Sequence, residues 1–334
     1  MNNITKVNPE QIDNVAKILS KLKLNPRFYQ RPFLTIKKDK ESLLRMYFFS
    51  VAICHQTHTL HSEKVNLWGW DYMEYGFMEM LKNDCPVLQP KYLISTDKNI
   101  IKNQLAAYFS DEHSKETTSL DRLDERVDLM IDAANIICDD YNCELSKLFD
   151  MTRKYLILNN KGLYDLLEKI KAFSDPKKKK STFLIKLLTE AGLLKIIDPE
   201  NIVPIMDYHM QRVLLRTGCV EIIDDEYKNK LISRTTLTTD EPTRSTCIEA
   251  LKYASKKSGH EITKMNDFFW SLGRSCCNET TLCRDKKCSK VPCTFKTLVL
   301  LQDHSECAFQ KICPAATDNE YLKLWQPIVK THFY

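Results

Sequence analysis

Residues 203–218 read VPIMDYHMQRVLLRTG. Apolar residues recur in this stretch at helical intervals, and Gly218 follows them in the position of a C-terminal cap. We therefore predict a helix from Asp207 to Arg216. A carboxylate at a helix start is held by free backbone amides, and the helix dipole favours its negative charge. Asp207 is then either a plain N-cap or a carboxylate held ready for chemistry.

Further helical patterns lie on both sides of this stretch. They cover residues 9–22, 40–54, 68–82, 120–138, 143–156, 162–173, 183–188, 245–257 and 264–272, whereas 221–244 is polar and turn-like. The chain has only 7 glycines in 334 residues, and a sheet-rich fold of this size needs many tight turns of the kind that glycine permits. The sequence therefore predicts an all-α protein.

The composition is that of an ordinary globular protein, with 43% hydrophobic and 28% charged residues. A formal net charge of +5 permits contact with nucleic acid without requiring it. No apolar run approaches the length that crosses a bilayer, and the N-terminus lacks the apolar core of a signal peptide. We expect an intracellular protein, cytoplasmic or nuclear rather than secreted, whose thiols stay reduced.

Seven of the 13 cysteines lie between Cys276 and Cys313. In a reducing compartment such a cluster usually holds a metal. One candidate is a zinc site in which Cys283, Cys288 and Cys293 act together with Cys276 or Cys277. The spacing alone leaves the metal and the choice of ligands open.

The pattern Asp207-x-His209-x-x-Arg212-Val-x-x-Arg216-Thr-Gly218 resembles the catalytic-aspartate helix of the helix-hairpin-helix DNA glycosylases, the endonuclease III superfamily. The resemblance implies two helical lobes that flank a DNA-binding cleft, in a monomer that acts on double-stranded DNA containing a damaged base. Asp207 would stabilise the sugar cation or help to deprotonate the nucleophile. The residues implied to contact DNA are His209, Arg212 and Arg274.

The run Lys177–Lys180, followed by STFLIKLL, resembles the lysine helix of the archaeal 8-oxoguanine glycosylases. This implies that Lys179 or Lys180 is a Schiff-base nucleophile, that Lys186 faces the base pocket, and that the substrate is an oxidised purine such as 8-oxoguanine. A nucleophilic lysine needs a lowered pKa. Four lysines are otherwise a solvated loop or a phosphate-binding patch. No hairpin glycine lies between Gly162 and Gly192, which leaves the nucleophile and the AP-lyase step open.

The resemblance also implies a base pocket and an iron–sulfur cluster. Gln56, which follows an apolar helix, looks like the glutamine that the family inserts beside a flipped base. Further residues that could line the pocket, with core packing as the alternative, are Trp68, Trp70, Asp267 and Trp270. Family members end in a [4Fe–4S] loop of pattern Cys-x6-Cys-x2-Cys-x5-Cys, and thiolates suit its irons. The ligands here would be Cys276 or Cys277, Cys283, Cys307 and Cys313, with a long insertion that carries Cys288 and Cys293. An iron–sulfur cluster and a separate metal site in the insertion could also coexist.

We accordingly expect a lobe at 45–185 with the glutamine and lysine segments, a second lobe at 1–44 plus 186–275 with the aspartate, a cluster loop at 276–314 and a tail at 315–334. Basic residues of the loop that could approach phosphates are Arg284, Lys286, Lys287 and Lys290. The implied activity is base-excision DNA glycosylase. The alternatives are an N-glycosidase of a modified free nucleotide, similar to the queuosine-salvage proteins, and a non-catalytic metal-bearing module that binds nucleic acid.

Overall fold

The computed structural model describes residues 4–25, 31–301 and 304–334. This part of the chain is 55% helical with little sheet, which confirms the predicted predominance of helices. The helices are α1 (Pro9–Leu19), α2 (Pro32–Thr35), α3 (Lys40–Ala52), α4 (Trp70–Lys82), α5 (Pro90–Ser95), α6 (Lys98–Ala107), α7 (Leu123–Tyr141), α8 (Leu145–Met151), α9 (Leu163–Glu168), α10 (Lys179–Glu190), α11 (Tyr208–Arg216), α12 (Asp225–Ile232), α13 (Glu241–Ser258), α14 (Ile262–Ser275), α15 (Leu282–Asp285), α16 (Thr294–Leu298) and α17 (Asn319–Lys323).

Four short strands form two antiparallel pairs in the described residues. They are β1 (Thr5–Val7), β2 (His61–Ser62), β3 (Leu67–Trp68) and β4 (Val220–Ile222). β1 pairs with β4, and β2 pairs with β3. The turn-like segment predicted at 221–244 is therefore wrong in part, because the end of β4 and the whole of α12 lie within it.

The chain divides into two compact units, each made of two separate segments. Unit 1 comprises Met1–Phe28 and Val203–Lys330, and unit 2 comprises Tyr29–Ile202 and Thr331–Tyr334. Asp207 and the cysteine-rich segment thus belong to unit 1. The lysine run and Gln56 belong to unit 2.

Unit 1 is built on helices α11 and α14, which pack against each other. Met210, Val213 and Leu214 recur on α11 at three- and four-residue intervals, so they share one buried face. Phe268 and Phe269 supply the apolar surface of α14 and are fully buried. Helix α1 packs on α13, and the β1–β4 pair lies against α13.

Helix α14 passes close to the start of α11 at Gly273. A Cβ atom at this position would lie 2.4 Å from the carbonyl oxygen of His209, closer than real side chains approach a backbone. Only a residue without a side chain permits this approach. The contact fixes the first turn of α11, which follows Asp207, against the last turn of α14, which precedes Cys276.

Unit 2 has α3 at its centre, and α4, α7 and α10 pack on that helix. Phe48, Phe49 and Val51 of α3 are fully buried, as its apolar sequence predicts. Arg126 of α7 is also fully buried. Its guanidinium donates hydrogen bonds to the Asp121 carboxylate at 2.6 Å and to the carbonyl of residue 53. The buried charge is therefore paired, as burial requires.

Cys138 and Cys143 of unit 2 form a disulfide, so the expectation that the thiols stay reduced is wrong for this pair. The remaining 11 cysteines are free thiols, including all seven in the C-terminal cluster. Those seven sulfurs are therefore available to a metal. No helix in the described part of the chain is long and apolar enough to cross a membrane.

Candidate metal centre and the residues around it

Three thiols and one imidazole converge at the end of α14. The Sγ atom of Cys276 lies 3.6 Å from that of Cys288 and 3.5 Å from that of Cys293. Nε2 of His304 lies 3.2 to 3.6 Å from the three sulfurs. All four ligand atoms fall within 4.8 Å of one another. This thiol–imidazole group (Cys276, Cys288, Cys293 and His304) could therefore hold a metal ion.

Ser275 joins the segments that carry these ligands. Cys276 caps the C-terminus of α14, and the preceding Ser275 is fully buried. The Ser275 carbonyl accepts a hydrogen bond from the amide of Ser289 at 2.7 Å, and its Oγ accepts one from the amide of Thr294 at 3.0 Å. Ser289 follows Cys288 in the chain, and Thr294 follows Cys293. Ser275 thus positions Cys288 and Cys293 beside Cys276.

The three thiols perturb one another because they are so close. Hydrogen bonding between Cys276 and Cys293 raises the pKa of the first thiol and lowers the pKa of the second. The pKa of Cys288 is raised, first by burial and then by its contact with Cys293. The opposite directions of these shifts follow from the short distances among the three sulfurs.

The predicted ligand sets are only partly recovered in this group. Cys276, Cys288 and Cys293 belong to it, as the zinc alternative allowed. Cys277 and Cys283 do not, and His304 completes the group instead. His304 was not predicted, although imidazole is a common partner of thiolates in metal sites and this residue is the one histidine between Cys276 and Cys313.

The other four cysteines of the tail are linked in two pairs, one through Arg216 and one through Gln310. Nη1 of Arg216 donates to the Cys277 sulfur at 3.6 Å, and the Arg216 carbonyl accepts a hydrogen bond from the Cys313 thiol at 3.3 Å. Gln310 connects Cys307 with Cys283. Its backbone N–H donates to the Cys307 carbonyl at 2.9 Å, and its side-chain Nε2 donates to the Cys283 carbonyl at 3.4 Å. We call these four cysteines the four-thiol group.

The thiols of the four-thiol group also influence one another electrostatically. Burial, followed by the nearby thiols of Cys277 and Cys283, raises the pKa of Cys307 to about 12. Burial likewise raises the pKa of Cys313, with the thiols of Cys277 and Cys307 adding to it. All four residues of the group are half-buried. The predicted ligands Cys277, Cys283, Cys307 and Cys313 thus lie near one another, and Cys288 of the thiol–imidazole group also raises the pKa of Cys307.

Asp207 is the N-cap of α11, as the sequence predicts. Its Oδ1 accepts a hydrogen bond from the amide of Met210 at 3.1 Å, and only 8% of the residue is exposed. Gly218 follows the helix with φ of +72°, a conformation that suits glycine. The carboxylate is therefore fixed at the positive end of a helix.

The arginines that follow Asp207 point into unit 1. Arg212 is buried, and its guanidinium donates to the carbonyls of Cys277 at 2.8 Å and Gly273 at 2.7 Å. It also lies over the Trp325 ring, 4.5 Å from the ring centroid. Nη1 of Arg216 donates to the carbonyl of residue 278 at 2.8 Å. Both arginines therefore hold the turn that contains Cys277, which is a different use of Arg212 from the predicted contact with DNA.

His209 and Arg274 are the other two residues predicted to contact DNA. His209 is half-buried and its Nδ1 lies 3.1 Å from Nη2 of Arg212. Burial, and then the charge of Arg212, lowers the pKa of His209 well below 6.5. The imidazole is therefore neutral at physiological pH. The Arg274 guanidinium lies 4.9 Å from the ring centroid of Trp270, a predicted pocket residue. Asp267, another such residue, is buried on α14.

Lys180 is completely buried inside unit 2. Its Nζ donates to the carbonyl of Ala52 at 2.6 Å, at the C-terminal end of α3, and lies 3.4 Å from Nδ1 of His55. Burial lowers its pKa from 10.5 to about 7, and the charges of Lys179 and Arg126 act in the same direction. Lys180 thus has the lowered pKa expected of a nucleophile, but its amine is already hydrogen-bonded to the Ala52 carbonyl at the end of α3.

Lys179 and Lys186 share another face of α10. Lys179 is the first residue of the helix, and its Nζ lies 3.8 Å from the Cys54 sulfur and 5.2 Å from the centroid of the Phe183 ring. Lys186 follows seven residues later, so the two lysines lie on the same side of the helix. Lys186 forms an ion pair with Glu190. The face therefore carries two lysines, one aromatic ring and one carboxylate.

Asp175 builds the turn before α10. Its carboxylate is fully buried and accepts hydrogen bonds from the amides of Lys177 at 3.0 Å and Lys179 at 2.9 Å. Lys178 adopts a φ of +58° in this turn. Two amides that a glycine-rich hairpin would offer to a phosphate already have an acceptor here.

Gln56, Trp68 and Trp70 lie in unit 2, whereas Trp270 lies in unit 1. Gln56 has a φ of +45°, its Oε1 accepts from Arg122 at 2.6 Å, and its amide donates to the carbonyl of Tyr334 at 3.2 Å. Trp70 donates from Nε1 to Glu74 at 2.6 Å, and its ring meets Phe183 of α10 with centroids 4.9 Å apart. Trp68 is 42% exposed. The structure therefore brings Trp70 to the lysine face of α10, whereas Gln56 contacts α7 and the final residues of the chain.

No protein-family model matches this chain, and no curated protein matches it significantly.

Proposed function

We propose that this chain is a base-excision DNA glycosylase whose catalytic carboxylate is Asp207. The observation that carries the proposal is the environment of this side chain. Asp207 is held at a helix N-terminus, and the two arginines of the same helix fasten it to a cysteine-rich segment. We infer the catalytic role from the resemblance of residues 207–218 to the catalytic-aspartate helix of the helix-hairpin-helix glycosylases.

In the proposed reaction, Asp207 stabilises the positive charge that develops on the sugar as the bond from C1′ to the base breaks. The base leaves with the bonding electron pair, a water molecule adds to C1′, and the proton that this water loses balances the one that the departing base takes up. A fixed carboxylate is effective here because it needs no reorganisation when the charge appears. The hydrogen bond from the Met210 amide supplies this fixation.

Lys179 is the better candidate of the two lysines for a Schiff-base nucleophile. In that step the Nζ lone pair forms a bond to C1′ while the bond to the base breaks, and the proton that the amine loses goes to the departing base. The sugar ring then opens at the C1′–O4′ bond, O4′ takes up a proton, and the Schiff base remains. Lys180 is less suitable because its Nζ is bonded to the carbonyl of Ala52. Lys179 shares its helix face with Lys186 and with Phe183, whose ring meets Trp70. These groups could receive a purine, and an oxidised purine such as 8-oxoguanine is the proposed substrate.

The four-thiol group fits the [4Fe–4S] cluster that the resemblance implies. Its members are four half-buried thiols, a donor set that suits cluster irons. The Arg216 guanidinium contacts one of these sulfurs, and hydrogen bonds to cluster sulfurs are a usual feature of such sites. The cluster would support the fold of the tail, whose exposed Arg284, Lys286 and Lys287 could approach phosphates.

Single-turnover assays on duplexes that each contain one damaged base test the proposal. Release of free base by the unaltered protein, and its loss in Asp207→Asn, would support it. Borohydride trapping of a covalent adduct that disappears in Lys179→Gln, but not in Lys178→Gln, would support the lyase step. A folded, metal-loaded protein that releases no base from any duplex would overturn the DNA glycosylase proposal.

Asp175 favours a second candidate, an N-glycosidase of a free modified nucleotide. Its carboxylate occupies two amides that a DNA glycosylase hairpin would offer to a backbone phosphate. Such an enzyme keeps a catalytic aspartate and has no need of a duplex. Chromatography of modified nucleoside monophosphates after incubation with the protein separates the candidates, because only this one predicts base release without DNA.

A further inference from the structure

We propose that Cys276, Cys288, Cys293 and His304 bind one structural Zn²⁺ ion, in a site separate from the four-thiol group. This proposal goes beyond the glycosylase activity and does not depend on it. The argument uses the distances among the four ligand atoms, their chemical types, the residues that hold them and their order in the chain.

The distances match a tetrahedron around one zinc ion. Zinc binds sulfur at about 2.3 Å and imidazole nitrogen at about 2.0–2.1 Å, so a tetrahedral site separates two sulfurs by about 3.8 Å and a sulfur from a nitrogen by about 3.5 Å. Here Cys276 lies 3.6 and 3.5 Å from the two other sulfurs, and His304 Nε2 lies 3.2 to 3.6 Å from the sulfurs. The group has the size of a site for a single ion.

The same distances exclude the thiol–imidazole group as the ligand set of a four-iron cluster. Each ligand of such a cluster binds a different iron, so the four ligands surround a body of several atoms. Four ligand atoms that lie within 4.8 Å of one another leave no room for it. Three thiolates and an imidazole are, in contrast, a usual ligand set for structural zinc, and four protein ligands leave no open position for a substrate.

The ligands are held by groups that do not bind the ion themselves. Ser275 joins the Cys288 and Cys293 segments to the end of α14 through its carbonyl and its hydroxyl. The His304 ring stacks on Phe295 of α16 with centroids 5.8 Å apart, and Phe295 packs edge-on against Phe268 of the core. The site is therefore supported from the apolar centre of unit 1.

The order of the ligands separates the two groups along the chain. Cys276 and Cys277 are adjacent, yet Cys276 contacts Cys288 and Cys293 whereas Cys277 contacts Arg216. The other three zinc ligands all lie between Cys283 and Cys307 of the four-thiol group. The insertion is thus a zinc-binding module placed between the two halves of the four-thiol group.

Metal analysis of the full-length protein, purified without chelators and supplied with Zn²⁺ and iron, tests this proposal. We expect one zinc per chain in the unaltered protein, loss of zinc in Cys288→Ser and in Cys293→Ser, and unchanged zinc in Cys307→Ser. Cys85→Ser, which alters a buried thiol of unit 2, is the matched control and should keep its zinc. A protein that binds no zinc, or one that keeps its zinc in both the Cys288 and Cys293 variants, overturns the proposal.

Two further measurements apply where a serine variant does not fold. Co²⁺ bound to the unaltered protein should give the visible spectrum of a tetrahedral site with thiolate ligands, and an octahedral spectrum would count against the site. Ser275→Ala leaves all four ligands in place but removes one of their supports. We expect it to weaken zinc affinity about 10- to 100-fold, the usual effect of losing a residue behind the ligands. An unchanged affinity would refute the positioning role of Ser275.

Discussion

Arg212 donates a hydrogen bond from Nε to the carbonyl of Cys277 at 2.8 Å. The helix that begins after Asp207 is thereby joined to the turn that starts the cysteine-rich segment. Arg216, one helical turn later, contacts the sulfur of the same cysteine. A structural change in the cysteine-rich segment should therefore alter the position of the Asp207 carboxylate, which is proposed to act in catalysis.

Replacing Arg212 with Met should destabilise unit 1 strongly. The change leaves the buried carbonyl of Gly273 without its donor, at a cost of about 1–3 kcal/mol, and also removes the donor of the half-buried Cys277 carbonyl. Arg234→Met is the matched control, because Arg234 also lies over the Trp325 ring but is exposed and paired with Glu279. An exposed ion pair contributes about 0–1 kcal/mol. Urea denaturation compares the two variants, and equal losses of stability would contradict the structural role of Arg212.

Replacing Asp207 with Asn should separate catalysis from capping. Asparagine caps helices about as well as aspartate, so we expect the free energy of unfolding to change by less than about 0.5 kcal/mol. Base release should fall about 100- to 1,000-fold, the range typical of losing one preorganised group that stabilises transition-state charge. Asp224→Asn, at the N-cap of α12, is the control and should retain full activity. Single-turnover rates decide, and an active Asp207→Asn protein would exclude a catalytic carboxylate here.

Lys180 should make stability rise with pH. The unfolded chain keeps this lysine protonated up to about pH 10.5, whereas the folded chain has a pKa of about 7 at this site. Between these values unfolding takes up a proton, so the free energy of unfolding increases as the pH increases. In Lys180→Met this contribution disappears. Urea midpoints at pH 7.5 and 9.5 should therefore differ more in the unaltered protein than in the variant, and equal differences would show that the site is not deprotonated on folding.

Replacing Gly273 with Ala should disturb α11 and the metal segment together. The added Cβ would meet the His209 carbonyl at 2.4 Å, so the two helices must separate. We expect a destabilisation of about 1–3 kcal/mol, as for overpacking in a core, and a weaker hold on the metal. Thr263→Ala, in the half-buried first turn of the same helix, is the control. Thermal unfolding and zinc content are measured side by side. A Gly273→Ala protein that matches the control would show that the close approach is dispensable.

The helices with strong apolar periodicity could be predicted from the sequence. The helix predicted at 40–54 corresponds to α3, and the helix predicted from Asp207 to Arg216 corresponds to α11. Both helices are largely buried in the core, so their apolar residues recur at helical intervals in the sequence. Helix α12 was missed because only Tyr227 and Leu231 of its residues are buried. Two buried positions among mostly polar neighbours resemble a loop, and the tertiary contacts that bury them are not evident from the local sequence.

The seven cysteines could be predicted as candidate metal ligands but not assigned to groups, and His304 was missed. Spacing cannot tell where two adjacent cysteines point, and the separation of Cys276 from Cys277 depends on where α14 ends. His304 contributes through its position against Phe295, which is a tertiary contact. The role of Arg212 was also hidden, because an arginine on a polar-looking helix face gives no sign that a carbonyl of the tail will reach it.

The pairing of β1 with β4 has a consequence for the newly made protein. Thr5 lies opposite Ile222 and Val7 opposite Val220, so the partner strand is synthesised more than 200 residues later. At about 5–20 residues per second, translation leaves the first strand waiting for roughly 10 to 40 seconds. During that interval its edge is open to other chains. We therefore expect the nascent protein to depend on chaperones at the ribosome, and slower translation to lower its soluble yield.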